Sequence, residues 1–293
     1  VIPGLSELSA SETSSRASSL SYEQLLLQLN KAAAEPKGYV VVLRQASSAE
    51  RVESDAARLL EEVAPGTTAR QVYGQLGGFS ADLNDAQARR LRRRPEVQGV
   101  ERDRHLDLEP PVGEPVVFDD DVVVLPQVLV AYLNGRASSG ETIPWGVRAI
   151  WQGRDISTAG NVGVGTYAFV IDSGVLATTR DLNLNTAWSR SWIAGQDPYT
   201  DGAGHGTHVA GTIGALANGI GVVGVAPGAS IVSLKVFDST GSGSMSNVMA
   251  AIDYAVSVIT TNKLDLSKVV INLSLGGSYS PVLDAAILQA ANL

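Results

Sequence analysis

Asp201-Gly-Ala-Gly-His205-Gly-Thr-His208-Val-Ala-Gly211 gathers two of the chain's 3 histidines into four positions, with glycines on either side. An apolar, glycine-rich run then continues to Pro227. Small residues let the backbone approach a neighbour closely, and imidazole exchanges protons near neutral pH. Taken alone, the segment reads equally well as a turn into a buried helix. What tips it toward chemistry lies upstream, where Tyr167-Ala-Phe-Val-Ile-Asp172-Ser-Gly174 ends an apolar strand pattern on a carboxylate. The C-terminal ends of strands are where open α/β sheets hold their ligands. Asp172 and His205 therefore make a candidate pair, the carboxylate holding the ring tautomer and stabilising the imidazolium formed on proton transfer. Zinc is disfavoured, because His205 and His208 lack a third ligand. There is no His-Glu-x-x-His and no cysteine, and His105 falls in a different unit.

The strands around Asp172 extend the pattern. Thr166–Ile171, Ser230–Phe237 and Lys268–Leu275 are rich in Val, Ile and Leu, and helical patterns separate them at His208–Leu216 and Ser246–Ile259. Another helix begins at Leu283 and runs to Ala291. Near-continuous apolar strands alternating with helices predict a parallel α/β sheet covered on both faces. With only about three such strands, the expectation is a partial, mostly parallel sheet with an unpaired apolar edge.

Upstream lies a smaller unit. Tyr39–Leu43 reads as a strand and Ser48–Val63 as a helix. Gln71–Leu83 reads as a strand pair broken at Gly77-Gly78, followed by a helix capped by Asn84 that runs through Leu91. Val97–Leu108 is read as one final strand. This β-α-β-β-α-β order predicts a small ferredoxin-like α+β domain with both helices on one face of an antiparallel sheet. The expected organisation is a serine-rich leader over residues 1–37, with a short helix at Leu20–Ala34, and then this domain at 38–108. An acidic, proline-containing linker follows at 109–139, with one ordered segment at Gln127–Leu133, and the larger α/β unit occupies 140–293.

Composition narrows the function further. A net charge of -8 and the lack of a dense basic patch disfavour nucleic acid as a partner. No apolar run is long enough to span a membrane, and the absence of cysteine excludes disulfides and thiolate chemistry. Residues 1–10 do not form a signal peptide. A chain beginning at Val1 is expected to have lost an upstream segment, and a secretory signal fits that expectation.

Three of these motifs, in this order, resemble the subtilisin-like serine endopeptidases (subtilases). Val170-Ile-Asp172-Ser-Gly174-Val is similar to the segment around that family's catalytic aspartate. Asp201–Gly211 is similar to its histidine segment, and Asn272-Leu-Ser274-Leu-Gly276-Gly277 to its substrate-binding strand. The resemblance implies that His205 is the catalytic base, that His208 is structural, and that the 38–108 domain is an inhibitory and chaperoning propeptide acting in cis. It also implies that protein or peptide substrate lies extended between Gly241-Ser242-Gly243 and Ser274-Leu275-Gly276, with Met245 lining a side-chain pocket. It further implies a structural calcium ion, held by backbone carbonyls of Leu216, Ile220 and Val222, the side chain of Asn218, Asp181 and Glu141.

One departure stands out. The family's nucleophilic serine lies in a Gly-Thr-Ser-Met-Ala segment and its oxyanion asparagine in a Gly-Asn pair, and neither follows Gly277. Asn292, in Ala-Ala-Asn-Leu, lacks the glycine. The expectation is a secreted-type endopeptidase precursor that is inactive as these residues stand, as a truncated product of a working protease. The alternative is a noncatalytic inhibitor or binding module.

Overall fold

The computed structural model describes residues 37–44, 48–108, 116–118, 122–124, 141–152, 156 and 162–292. The expected leader, its helix at Leu20–Ala34 and the Gln127–Leu133 segment lie outside the described residues. Within the expected linker, β6 (Val116–Phe118) and β7 (Val122–Val124) pair antiparallel.

The first unit runs β1 (Lys37–Leu43), α1 (Ala49–Val63), β2 (Ala69–Tyr73), β3 (Gly78–Leu83), α2 (Asp85–Arg92) and β4 (Val97–Arg102). Its strands form one antiparallel sheet in the order β2-β3-β1-β4. Both helices of this unit are capped at their starts, the second by Asn84 as its sequence position predicts. The Ser48 hydroxyl accepts from the Arg51 amide, and Asn84 forms a reciprocal box with Gln87.

The run of valines in β1 has a physical reason. Tyr39, Val41 and Leu43 face α1 and α2, packing with Val52, Leu59, Leu60 and Leu91. Val40 and Val42 point the other way into a core shared with the larger unit. Both faces of the central strand are therefore dry, and period-two alternation is lost.

Val97–Leu108 is not one strand. It breaks at Asp103-Arg104, and β5 (His105–Asp107) leaves the first sheet to pair antiparallel with β11 (Ser242–Ser244) of the second unit. Alternation continues across the break, so the sequence pattern did not reveal it.

The second unit contains α3 (Trp145–Ile150), β8 (Tyr167–Asp172), β9 (Arg190–Ser191), α4 (His205–Gly214), β10 (Ser230–Lys235), β11, α5 (Met245–Thr261), β12 (Val269–Asn272) and α6 (Pro281–Ala291). Its sheet has the order β12-β8-β10-β9 and is parallel throughout. β9 is a fourth strand too short to show in the sequence.

Alternate residues of β8 serve opposite faces. Ala168 and Val170 pack with Ala210 of α4, while Phe169 and Ile171 pack with Val248, Met249 and Ile252 of α5. The α4 side is built from small residues, which brings that helix close to the sheet. At the far edge β12 pairs with β8 alone among the described residues, and Val270 there is exposed.

Candidate active site

β8 delivers Asp172 to its C-terminal end, where the side chain is buried. α4 begins at His205, three residues earlier than the apolar periodicity suggested, because Gly204 takes the left-handed conformation (φ 75°) just before it. The result places His205 Nδ1 at 2.8 Å and 2.9 Å from the two Asp172 carboxylate oxygens. Close approach of helix and strand requires glycine at 206. A Cβ there would lie 2.2 Å from the Gly174 carbonyl oxygen and 3.1 Å from Asp172 Cβ.

Electrostatics suit a proton acceptor. The hydrogen bond to Asp172 raises the His205 pKa above the ordinary histidine value, burial opposes this, and the charges of Asp172 and Asp201 add to the rise. His205 Nε2 has no hydrogen-bond partner among the described residues, so it can meet an incoming hydroxyl proton. His208, one turn on, is exposed and makes no side-chain hydrogen bond among the described residues.

Sequence reasoning assigned no role to two groups that hold this pair. The Ser173 amide donates to Asp172 Oδ1 at 2.7 Å, its hydroxyl donates to Asp201 Oδ1 at 2.7 Å, and the same hydroxyl accepts from the Gly206 amide at 3.0 Å. Asp201 Oδ1 also accepts from the Gly204 amide, and Oδ2 accepts from the Thr207 amide and hydroxyl at 2.8 Å and 2.6 Å. Asp201 thus caps the start of α4 from outside the helix, where a carboxylate also complements the positive end of the dipole. An acid just ahead of a glycine-rich helix start was the available signal.

The substrate-binding candidates divide into two groups. Gly241, Ser242 and Gly243 lie along β5. The Leu108 amide donates to the Gly241 carbonyl, Ser242 faces Asp107, Gly243 faces Leu106, and the Met245 amide donates to the Arg104 carbonyl. Leu106 and Met245 line one hollow together with Leu275, Gly276 and Gly277. The Ser274 hydroxyl accepts from the Asn272 side chain. No backbone ladder joins Ser274–Gly276 to β5 among the described residues, so the strand is paired on one side.

The first unit also closes helix starts in the second. Asp103 accepts from the Ser246 amide and hydroxyl at the start of α5, and the Ser280 hydroxyl at the start of α6 donates to Glu101. Asp253 on α5 accepts in return from the Gln75 and Leu76 amides.

The oxygen-rich candidates converge on the loop after α4. Glu141 Oε1 accepts from the amides of Asn218 and Gly219, and Asp181 Oδ2 accepts from the Val222 amide. Asn218 Oδ1 accepts from the Ile220 amide, and the Leu216 amide donates to the Asp181 carbonyl. Asp181 is buried, its Oδ1 has no partner among the described residues, and desolvation pushes its pKa up to about 6.

Residues 163–292 match the profile of the subtilase family and residues 38–109 that of peptidase inhibitor I9. The chain has the layout of a subtilisin-like proenzyme, an inhibitor-type domain followed by a subtilase domain. It is 31% identical over 276 residues to the thermostable alkaline protease of Halalkalibacterium halodurans, a match covering 93% of this chain and 62% of that protein. It is 44% identical over 138 residues to subtilisin E of Bacillus subtilis, covering 47% of this chain and 33% of the relative. The chain thus spans less than two thirds of these relatives. Among solved structures it is similar to fervidolysin from Fervidobacterium pennivorans, described as a keratinolytic enzyme related to subtilisin. That likeness has a TM-score of 0.59 at 23% identity, covers 88% of this chain and 38% of that one, and speaks for the fold.

Proposed function

We propose that these residues form the propeptide and the acid–base half of a secreted serine endopeptidase that cleaves peptide bonds by acyl transfer. The observation that carries this reading is the buried Asp172 carboxylate bonded through both oxygens to His205 Nδ1 at the C-terminal end of a parallel strand. In the proposed reaction His205 Nε2 takes the proton of an attacking serine hydroxyl and returns it to the leaving amine. Asp172 keeps the ring oriented and offsets the charge of the imidazolium. Water then releases the acyl group with the help of the same base. Extended protein or peptide substrate is proposed to lie on Gly241–Gly243 where β5 now sits, so the first unit inhibits in cis by occupying the cleft. No helix among the described residues is long and apolar enough to cross a membrane.

The 293 residues hold no Gly-Thr-Ser segment, and on their own they are proposed not to turn over peptides. The test is hydrolysis of an unstructured protein by this chain and by the longest product of the same reading frame. The 293 residues should be inert, and the longer product active. In that product His205→Ala should lower kcat by about 10⁴-fold or more. Hydrolysis by the 293 residues that His205→Ala abolishes would overturn the claim of inertness. Failure of the longer product to cleave would overturn the protease reading.

Calcium is proposed as a structural ion at the Asp181 loop. The donors fit a hard cation: two carboxylates, an amide oxygen and backbone carbonyls, with one buried carboxylate oxygen lacking a partner. Asp181, Glu141, Asn218 and the carbonyls of Leu216, Ile220 and Val222 would hold it, and the ion would tie the chain before α3 to the loop after α4.

A further inference from the structure

Lys235 closes β10 directly beside Asp172 in the parallel ladder. It is fully buried, a rare setting for lysine. Room for its stem comes from Gly174, whose φ of 105° favours glycine and where an added Cβ would meet Lys235 Cδ at 3.3 Å. Its ammonium donates to the Ser173 carbonyl rather than pairing directly with a carboxylate. Ser173 is thereby held at three points: the carbonyl by Lys235, the hydroxyl between Asp201 and the Gly206 amide, and the amide on Asp172 Oδ1. No part of the proton-transfer scheme uses Lys235, and a buried ammonium is costly unless something requires it.

The surrounding charge suggests what requires it. Asp172 on β8 and Asp201 ahead of α4 both raise the His205 pKa, while His208 on the same helix has its own pKa lowered by burial and by His205, which favours a neutral ring there. Facing Lys235 are Asp172, Asp201, Asp197 from the loop after β9, and Asp238 just beyond β10. With no compensating cation, two carboxylates would hold His205 protonated over a wider pH range and leave it unable to accept a proton.

We propose that Lys235 is a positioning residue for the Asp172–His205 pair: it anchors the Ser173 turn that aims the carboxylate, and its charge keeps His205 available as a base. The inference rests on the reading of that pair as the acid–base couple. Burial lowers the Lys235 pKa below the ordinary lysine value, and the four carboxylates oppose that fall by favouring the ammonium. A unit charge in the neighbourhood of a titrating group moves it by on the order of 0.5–1 pH unit at the effective dielectric of protein sites.

The experiment is an NMR titration of the His205 imidazole in the folded chain, which needs no turnover and so stands apart from the protease test. Lys235→Gln removes the charge but keeps a donor, Lys235→Met removes both, and exposed Lys268→Met serves as the control. Both Lys235 variants should raise the His205 midpoint by about 0.5–1 unit. Only the Met variant should also weaken the low-field Nδ1 proton signal of the bond to Asp172, and the control should change neither. An unmoved midpoint in Lys235→Gln would overturn the charge role. An unmoved Nδ1 signal in Lys235→Met would overturn the anchoring role. Direct observation of the Lys235 Nζ in the unmutated chain decides the matter even if both variants fail to fold. It must remain an ammonium throughout the His205 titration, and a neutral amine there ends the proposal.

Discussion

The two long helices flanking the second sheet begin in different ways. α4 is closed from within its own unit, with Asp201, Gly204 and Ser173 locking its first turn onto Asp172. α5 is capped by its own Ser244, and its next amide goes to Asp103 of the first unit. The helix start that bears the Asp172–His205 pair is thus self-contained, whereas the one beside Gly241–Gly243 is completed by the inhibitor-type domain. Damage to the first should disorder the site itself. Damage to the second should loosen the grip of one unit on the other and leave the Asp–His pair intact.

The largest effect should come from Gly206→Ala. A Cβ 2.2 Å from a backbone oxygen cannot be absorbed by rotamer changes, so helix and strand must separate. A loss of about 3 kcal/mol or more is expected in denaturant unfolding, together with loss of the His205–Asp172 proton signal. Asp201→Asn comes next, at about 2–3 kcal/mol, because an amide nitrogen must then face either the Thr207 donors or the Gly204 amide. Asp103→Ala should cost about 1–2 kcal/mol. Its signature should be faster amide exchange at Ser246 and along β5, with an unchanged His205 titration. If Asp103→Ala disturbed His205 as strongly as Asp201→Asn does, the contrast between the two helix starts would collapse.

Two pH experiments refine the same contrast. Asp172→Asn removes the chief cause of the raised His205 pKa, so the NMR midpoint should fall. The stability that the pair contributes is fully present below the unfolded histidine value of about 6.5 and is lost as pH rises through the higher folded value. Unmutated chain and variant should therefore draw closer in Tm above that value.

Asp181 has a folded pKa raised to about 6, so in metal-free protein it favours the fold below the unfolded carboxylate value and ceases to do so as pH rises through about 6. Chelator should consequently lower Tm little at pH 5 and more at pH 7.5, by several degrees at most. A chelator effect independent of pH would exclude Asp181 as a ligand.

Much of this was legible before any coordinates. Asp172 and His205 were visible because a strand ending on a carboxylate and a glycine-flanked histidine are both local patterns. The cap at Asn84 and the turn at Gly77 were legible for the same reason. Lys235 was not, since it sits inside the apolar Ser230–Phe237 pattern and nothing local marks a lysine there as buried beside a carboxylate. Only the lateral register with Asp172 shows it. Val40 and Val42 carried no hint of the neighbour they pack against, and the end of β4 at Arg102 was hidden because β5 continues the same alternation in another sheet. Local pattern reports which face is dry, but it does not report what keeps it dry.

The break at Asp103-Arg104 has a mechanical consequence. Because β5 is antiparallel to β11 and bonded from Arg104 to Leu108, tension applied from the linker end loads the Leu108–Gly241 hydrogen bond first. The ladder then opens like a zip, bond after bond, until it reaches the pivot at Asp103. Force transmitted from beyond Leu108 can therefore open the β5–β11 ladder while Asp103 and Glu101 still hold the first unit in place, so freeing Gly241–Gly243 and releasing the unit are separable events.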